Sequence, residues 1–93
     1  MNKALENYIN ELEVKLNIKF AAENMGFIKE DRDYYIKKEV YKIHLLFKED
    51  HLIIWVDDRI ERAIVKNYLK LYNEIDRGIC TPKEFLYRAL NSF

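Results

Sequence analysis

The chain has 93 residues, of which 49% are hydrophobic and 34% are charged, and its 16 basic and 16 acidic residues give a formal net charge of zero. Such a composition excludes an intrinsically disordered chain. A chain of this size buries roughly 60–70% of its unfolded surface, which predicts one domain over residues 1–93 with a core that needs no disulfide. Zero net charge argues against a general polyanion binder and leaves little repulsion between copies.

The cysteine content and the N-terminus bear on the compartment. Cys80 is the only cysteine, so no internal disulfide framework exists and a reducing compartment is expected. Residues 1–6 have no apolar segment of signal-peptide length, and no run of about 18 apolar residues is present to span a membrane. The sequence therefore predicts a cytoplasmic protein with no membrane partner.

A first helix is predicted from Lys3 to about Met25, where Gly26 supplies a C-terminal stop. Apolar residues recur along it at helical spacing, and their stripe drifts around the helix. This drift predicts a slight bend near Asn17 or a broad buried face. The stripe consists of Leu5, Tyr8, Ile9, Leu12 and Leu16, followed by Ile18, Ala21, Ala22 and Met25.

Three strands are predicted after this helix, and they form an antiparallel meander. The first covers residues 26–30 and is followed by an Asp-rich turn. The second covers residues 34–47, with a bulge or bend near residues 37–39, because one straight strand of that length would run about 46 Å. The third covers residues 51–56 and forms a hairpin with the second.

The register of this hairpin follows from pairing Phe47 with Leu52, since side chains alternate between the faces of a sheet. The further pairs are Leu45 with Ile54, Ile43 with Val56, Leu46 with Ile53, His44 with Trp55, and Lys42 with Asp57. The first two of these pairs belong to the face that we assign to the core, and the next two to the opposite face. The last pair joins opposite charges, which supports the register independently.

A second helix is predicted from Asp57 or Asp58 to Gly78, because Asp58 and Glu61 have the spacing of an N-terminal capping signal. Its predicted buried stripe consists of Ile60, Ala63, Ile64, Tyr68, Leu71 and Ile75. A cap followed by such a stripe is typical of an amphipathic helix.

A third helix is predicted to open at Thr81, with Pro82 at the first helical position and Glu84 completing a capping box. The whole chain is thus an α+β fold with a three-stranded antiparallel meander in the order α-β-β-β-α-α. The helices are expected on one or both faces of the sheet.

Candidate catalytic and metal-binding residues have better structural explanations. Cys80 precedes a helix, where it is placed to pack against Phe85 as a hydrophobic staple. The candidate metal ligands are His44, Asp50, His51, Asp57 and Asp58. In the predicted register they lie at opposite ends of the hairpin and do not converge. The sequence therefore predicts no enzyme, no metal and no cofactor.

The second face of the sheet is the strongest candidate site. A large exposed apolar patch usually marks an interface, and Trp and Tyr are frequent anchors of interfaces. Two alternatives stay open: a helix such as the third covers this face, or another molecule binds it. The candidate residues are Leu46, Ile53, Trp55 and His44, with Tyr34 or Tyr35 extending the patch.

The second predicted helix also carries four cations that form a basic ridge along one outer edge: Arg62, Lys66, Lys70 and Arg77. A solvated helix face is the preferred explanation, because a charge run on an exposed helix usually has no partner. As a functional feature, the ridge would steer a protein partner or contact nucleic-acid phosphates, with Lys37 and Lys42 adding to the footprint.

Two functional hypotheses follow. The first is a small non-enzymatic protein-binding module, a homodimer or a stoichiometric inhibitor or adaptor. Its size, neutrality and composition are typical of phage-type (viral) proteins that inhibit host defence enzymes, including CRISPR nucleases. The alternative is a nucleic-acid-binding regulator that uses the basic ridge.

The predicted order α-β-β-β-α resembles the topology of a double-stranded-RNA-binding domain. In this chain the segments 30–33 and 57–59 are acidic where that family is basic, so the resemblance transfers no functional residue.

Overall fold

The computed structural model describes residues 2–57 and 62–93. Five antiparallel strands form one sheet in the order β1-β2-β3-β4-β5. The strands are Ile28–Glu30 (β1), Asp33–Lys38 (β2), Tyr41–Phe47 (β3), His51–Asp57 (β4) and Arg62–Asn67 (β5), and the helices are Lys3–Asn24 (α1), Tyr68–Asp76 (α2) and Pro82–Asn91 (α3). The predicted α+β class is confirmed, whereas the predicted strand number of three is too low.

The buried core lies on one face of the sheet, which we call the inner face. One contiguous cluster joins Ile18 of α1, Leu71 of α2 and Leu86 of α3 to Leu45 and Ile54 of the sheet. No side chain on the opposite, outer face belongs to this cluster among the residues described. The third helix therefore does not cover the second face of the sheet.

The hairpin register predicted for β3 and β4 is confirmed. Phe47 pairs with Leu52, and Lys42 pairs with Asp57 at the other end of the ladder. The four intervening pairs are also those predicted. One pair was sufficient to predict the whole register, because side chains alternate between the two faces and one face of each strand is fully apolar.

The segment predicted as one bent strand is instead two strands joined by a tight turn at Glu39 and Val40. Lys38 pairs with Tyr41 across this turn, and Glu39 has a positive φ of 57°. Short hairpin turns need such a conformation and usually obtain it from Gly or Asn. Since neither residue is present, the sequence indicates a bend near residues 37–39 but does not identify it as a turn.

The second predicted helix is wrong in its first half, because residues 62–67 form the edge strand β5. Ile64 pairs with Ile54 on the inner face, and Val65 pairs with Ile53 on the outer face. Ala63 and Ile64 also fit a helical stripe, which is the usual ambiguity of a short apolar run. The predicted capping signal at residues 58–61 lies outside the described residues, and Asp57 is the last residue of β4.

The true start of α2 is set by Asn67. Its side-chain oxygen accepts hydrogen bonds from the backbone N–H groups of Leu69 and Lys70, at 3.0 and 3.2 Å. This is ordinary N-cap chemistry, in which a polar side chain satisfies amides that have no partner inside the helix.

Replacing Asn67 by Ala is expected to lower the free energy of unfolding by about 1 kcal/mol, because two amides lose their acceptor. Urea denaturation measures the change. If one helix ran through residues 57–78, Asn67 would lie in its interior, where Ala is the better residue. A stabilised Asn67→Ala variant would therefore contradict the strand-to-helix junction.

The start of α3 is as predicted. The Glu84 amide donates to Thr81 Oγ1 at 3.1 Å, and the Thr81 amide donates to Glu84 Oε1 at 2.9 Å. The backbone hydrogen bond from Thr81, followed by the side-chain hydrogen bond of the same residue, holds the pKa of Glu84 below its ordinary value. Cys80 and Phe85 are both buried, as a hydrophobic staple requires.

Helix α1 buries only the second part of its predicted stripe. Val14, Ile18, Ala21 and Ala22 enter the core, whereas the earlier apolar residues are exposed. Small residues at 21 and 22 allow a close approach of the helix, and larger side chains lie on its far side. The exposed residues are Leu5, Tyr8, Ile9, Leu12, Leu16 and Phe20.

Candidate functional site

The outer face of the sheet carries a continuous apolar and aromatic surface, which we call the outer patch. One row crosses all five strands through cross-strand pairs, and a second row crosses β3, β4 and β5. The first row is Ile28, Tyr35, His44, Trp55 and Ala63, and the second is Leu46, Ile53 and Val65. No helix among the described elements shields these rows, and an uncovered apolar surface of this kind is a candidate interface.

Three rings at the centre of the outer patch are in contact across neighbouring strands. The centroids of His44 and Trp55 lie 4.8 Å apart with a tilt of 36°, and those of Tyr35 and His44 lie 6.3 Å apart with a tilt of 40°. The Lys42 ammonium lies 4.7 Å from the centroid of the Tyr35 ring. These contacts hold the aromatic side chains in place in the free protein, and such preorganisation would lower the entropy cost of an association.

His44 carries an unsatisfied polar atom within this surface. Its Nε2 is shielded from solvent and has no hydrogen-bond partner among the described residues, and the Oδ2 atom of Asp57 lies 4.0 Å away. A buried nitrogen without a partner costs on the order of 1–3 kcal/mol. Departures of this kind from ordinary protein chemistry concentrate at functional sites.

The ends of the outer patch carry opposite charges. Lys37 and Lys42 pair with each other in the ladder at the end where β2 turns into β3, and together they outnumber the carboxylate of Asp57, which pairs with Lys42 at the same end. At the other end Asp33 lies beside Tyr35, in a shallow depression that also includes Glu30. A partner with an apolar centre between an acidic and a basic end would therefore be complementary to this surface.

The structure separates the two tyrosines that were candidates for the outer patch. Tyr35 belongs to it, whereas Tyr34 is 3% exposed and lies in the core. The Tyr34 hydroxyl donates a hydrogen bond to Glu23 Oε1 at 2.8 Å. Burial, together with this hydrogen bond and the charge of Glu23, raises the pKa of Tyr34 to about 12.

The basic ridge of the second predicted helix is not formed. Arg62 and Lys66 lie in β5, Lys70 lies in α2, and Arg77 is the C-cap of that helix. Lys66 is on the inner face, where its ammonium lies 3.5 Å from Glu74 Oε1. The spacing of 4, 4 and 7 residues between these four cations therefore does not place them along one edge of a helix.

Other candidate chemistry is limited to single side chains. Burial raises the pKa of the Cys80 thiol, which disfavours the reactive thiolate. Over residues 2–57 and 62–93, no group of three or more His, Cys, Asp and Glu side chains is arranged to hold a metal ion. The helices in these ranges are too short or too polar to cross a membrane.

One surface was missed by sequence reasoning, namely the exposed stripe of α1. Its 4-3-4 spacing from Leu5 to Leu16 was visible, but periodicity alone cannot tell which side of a helix faces the core. A second apolar set, from Val14 to Ala22, has smaller side chains. Because Ala21 and Ala22 permit closer packing against the core, this set was the available signal for which side of α1 is buried.

The fold and the outer patch together define an α+β protein with three helices on one face of a five-stranded meander and an open second face. A comparison of the chain with protein-family models, with curated proteins and with solved structures found no match.

Proposed function

We propose that this protein is a non-enzymatic binding module that docks a partner protein on the outer patch. The observation that supports this proposal best is the uncovered outer face, with Trp55 at the centre of its aromatic row. Trp and Tyr supply large contact areas at low entropic cost and are enriched among the residues that dominate binding energy.

The chemistry of the patch favours a protein as the partner. Leu46, Ile53 and Val65 give the surface an aliphatic half, which suits an apolar protein surface. The opposite charges at its two ends favour a partner that is dipolar over one that is uniformly charged. Val65 is 62% exposed and Ile28 is 54% exposed, so both are accessible to a docking protein.

The narrower proposal is a stoichiometric inhibitor or adaptor of the phage type that acts against host defence enzymes, including CRISPR nucleases. Size, zero net charge and composition support it, and the outer patch would then block a surface of the target enzyme. Inhibition by occupancy needs no catalytic group in the module itself.

Single-stranded nucleic acid is the second candidate, and it is favoured by one feature. Tyr35, His44 and Trp55 form a row of rings on an open sheet, flanked by Lys37 and Lys42, and bases stack on rings arranged in this way. The aliphatic half of the patch and the nearby carboxylates of Asp33 and Asp57 make it the less favoured reading.

Affinity capture with the purified chain from the host lysate, followed by mass spectrometry, tests the proposal. Trp55→Ala and Val65→Glu are each expected to weaken capture of the specific partner by at least about tenfold. Tyr87→Ala is the matched control, because Tyr87 is an exposed aromatic residue of α3 and should leave capture unchanged.

Circular dichroism on each variant confirms that it is folded. Capture that survives both outer-patch substitutions contradicts the proposal. Recovery of oligonucleotides instead, with affinity that falls steeply as salt rises, would favour the second candidate.

A further inference from the structure

Helix α1 presents an apolar surface that the fold does not use, which we call the α1 stripe. Its six large side chains are between 40% and 67% exposed, although the opposite side of the same helix lies in the core. Singly exposed apolar residues are normal on a protein surface, but a contiguous set indicates an interface. The α1 stripe consists of Leu5, Tyr8, Ile9, Leu12, Leu16 and Phe20.

The spacing of the α1 stripe is that of a helix-pairing seam. Leu5, Ile9, Leu12 and Leu16 are separated by 4, 3 and 4 residues, which is the alternation found at the core positions of coiled coils. From Leu5 to Phe20 the seam runs about 22 Å at 1.5 Å per residue. A second helix is the element that fits so long and narrow a surface.

The charges beside the seam indicate which helix would pair with it. Glu6 and Glu13 lie on the edge next to α2, where each lines a depression shared with Tyr72. The opposite edge of the seam carries Lys15 and Lys19. The Lys15 ammonium lies 4.8 Å from the ring centroid of Tyr68, at the start of α2, and the Lys19 ammonium lies 5.0 Å from that of Phe47 in β3. The seam thus has one acidic edge and one basic edge.

We infer that a second copy of this chain occupies the α1 stripe, with the two α1 helices packed in parallel. In a parallel pair related by a two-fold axis along the helices, each edge of one copy faces the opposite edge of its partner. The acidic edge with Glu13 then meets the partner's basic edge. An antiparallel pair would bring like edges together, which is unfavourable.

The area available is sufficient for a specific dimer. Two of the six large side chains are aromatic and have roughly 150–250 Å² of surface each, and the other four are smaller Leu and Ile side chains. Their exposed fractions together correspond to at most roughly 600 Å² per protomer. Two such surfaces approach the lower range of standard interfaces, at roughly 1,200 Å² in total. The zero net charge of the chain adds no long-range repulsion between copies.

The dimer does not depend on the proposed function, because it uses a different surface, but it would add a second binding site to the assembly. The α1 stripe lies on the far side of the helix layer from the outer patch, so pairing through α1 leaves both outer patches free. A dimer would therefore be bivalent, and a partner with two adjacent sites would bind it more tightly by avidity.

Analytical ultracentrifugation of the full chain over a range of concentrations tests this inference. The expected mass is twice that of the 11.3 kDa chain. Leu16→Glu places a charge at the seam and is expected to raise the dimer dissociation constant by at least about a hundredfold. Leu16 is 59% exposed, so the monomeric variant should stay folded by circular dichroism.

Val65→Glu is the matched control, because it introduces the same charge at a residue of similar exposure on the outer patch. It should leave the dimer intact, while Leu16→Glu should leave single-site partner binding intact. Leu5→Cys should form a disulfide-linked dimer on mild oxidation, since parallel packing brings the two copies of residue 5 together.

Several results would overturn the inference. These are a monomeric wild type, a dimer that resists Leu16→Glu, and a dimer that is lost in Val65→Glu. Failure of Leu5→Cys to cross-link a dimer that Leu16→Glu disrupts would exclude the parallel orientation. A monomeric wild type that co-sediments with phosphatidylglycerol vesicles through Leu16 would identify a membrane surface as the occupant instead.

Discussion

Ile54→Ala is expected to lower the free energy of unfolding by about 2–5 kcal/mol, whereas Ile53→Ala should lower it by only about 1 kcal/mol. The two residues are adjacent in β4, but Ile54 is completely buried on the inner face and Ile53 is half-buried in the outer patch. Truncation at residue 54 therefore leaves a cavity in the core, and truncation at residue 53 mainly removes surface contacts.

Urea denaturation of both variants measures this difference. The slope of the unfolding free energy against urea concentration shows whether a substitution has also changed the folded or the unfolded state. Because the two substitutions delete the same atoms one residue apart, each is the control for the other. Equal losses would mean that both faces of the sheet are covered, which would remove the basis of the outer patch.

Raising the pH from about 10 to about 12 is expected to destabilise the protein, because Tyr34 then ionises within the core. The folded pKa of Tyr34, about 12, lies above its ordinary value of 10.0. Burial is also the main cause that raises the pKa of Tyr68. A raised folded pKa stabilises the protein fully below the unfolded pKa, and this stabilisation is lost as pH rises through the folded pKa.

For Tyr34 the window is thus about pH 10 to 12, and the loss is on the order of 2–3 kcal/mol. Unfolding free energies measured across this window, with tyrosinate absorbance followed in parallel, test the prediction. Tyr34→Phe is the control, because it keeps the buried ring and removes the ionisable group. An equally steep loss of stability in Tyr34→Phe would contradict the role assigned to Tyr34.

Much of the hairpin and of the last helix could be predicted because local and tertiary signals agree there. The Lys42–Asp57 pair and the apolar alternation of β3 and β4 favour the same register. Thr81, Pro82 and Glu84 all mark the same helix start. Consistency among such signals is what makes a local prediction reliable.

The errors arose where one pattern fits two structures. Ala63 and Ile64 satisfy a helical stripe as well as a strand, and only the capping role of Asn67 separates the two. Glu39 adopts a positive φ without being Gly or Asn, so the bend predicted near residues 37–39 could not be recognised as a turn between two strands. Each error left one strand out of the predicted sheet, which is why three strands were predicted and five are found.

The candidate site was predicted in part. Leu46, Ile53 and Trp55 follow from parity once the register is known, whereas their openness to solvent depends on where the helices pack. The face on which the helices pack depends on the contacts of the whole core, so it cannot be predicted from one segment of the sequence. For the same reason the α1 stripe looked like part of the core, although it lies on the surface.

The two apolar surfaces have different expected partners and lie on opposite sides of the molecule. Val65→Glu and Leu16→Glu therefore form a reciprocal pair of variants, one for the outer patch and one for the α1 stripe. Their separate effects on partner capture and on dimerisation distinguish failure of one proposal from failure of the other.

Trp55 is the only tryptophan in the chain, so its fluorescence reports on the centre of the outer patch directly. The decisive measurement is a titration of the captured partner against the purified protein, following Trp55 emission and its quenching by acrylamide. Docking on the outer patch predicts a shift of the emission to shorter wavelength and protection from acrylamide as the complex forms. Unchanged emission and unchanged quenching at saturating partner would contradict the claim that this face is the binding surface.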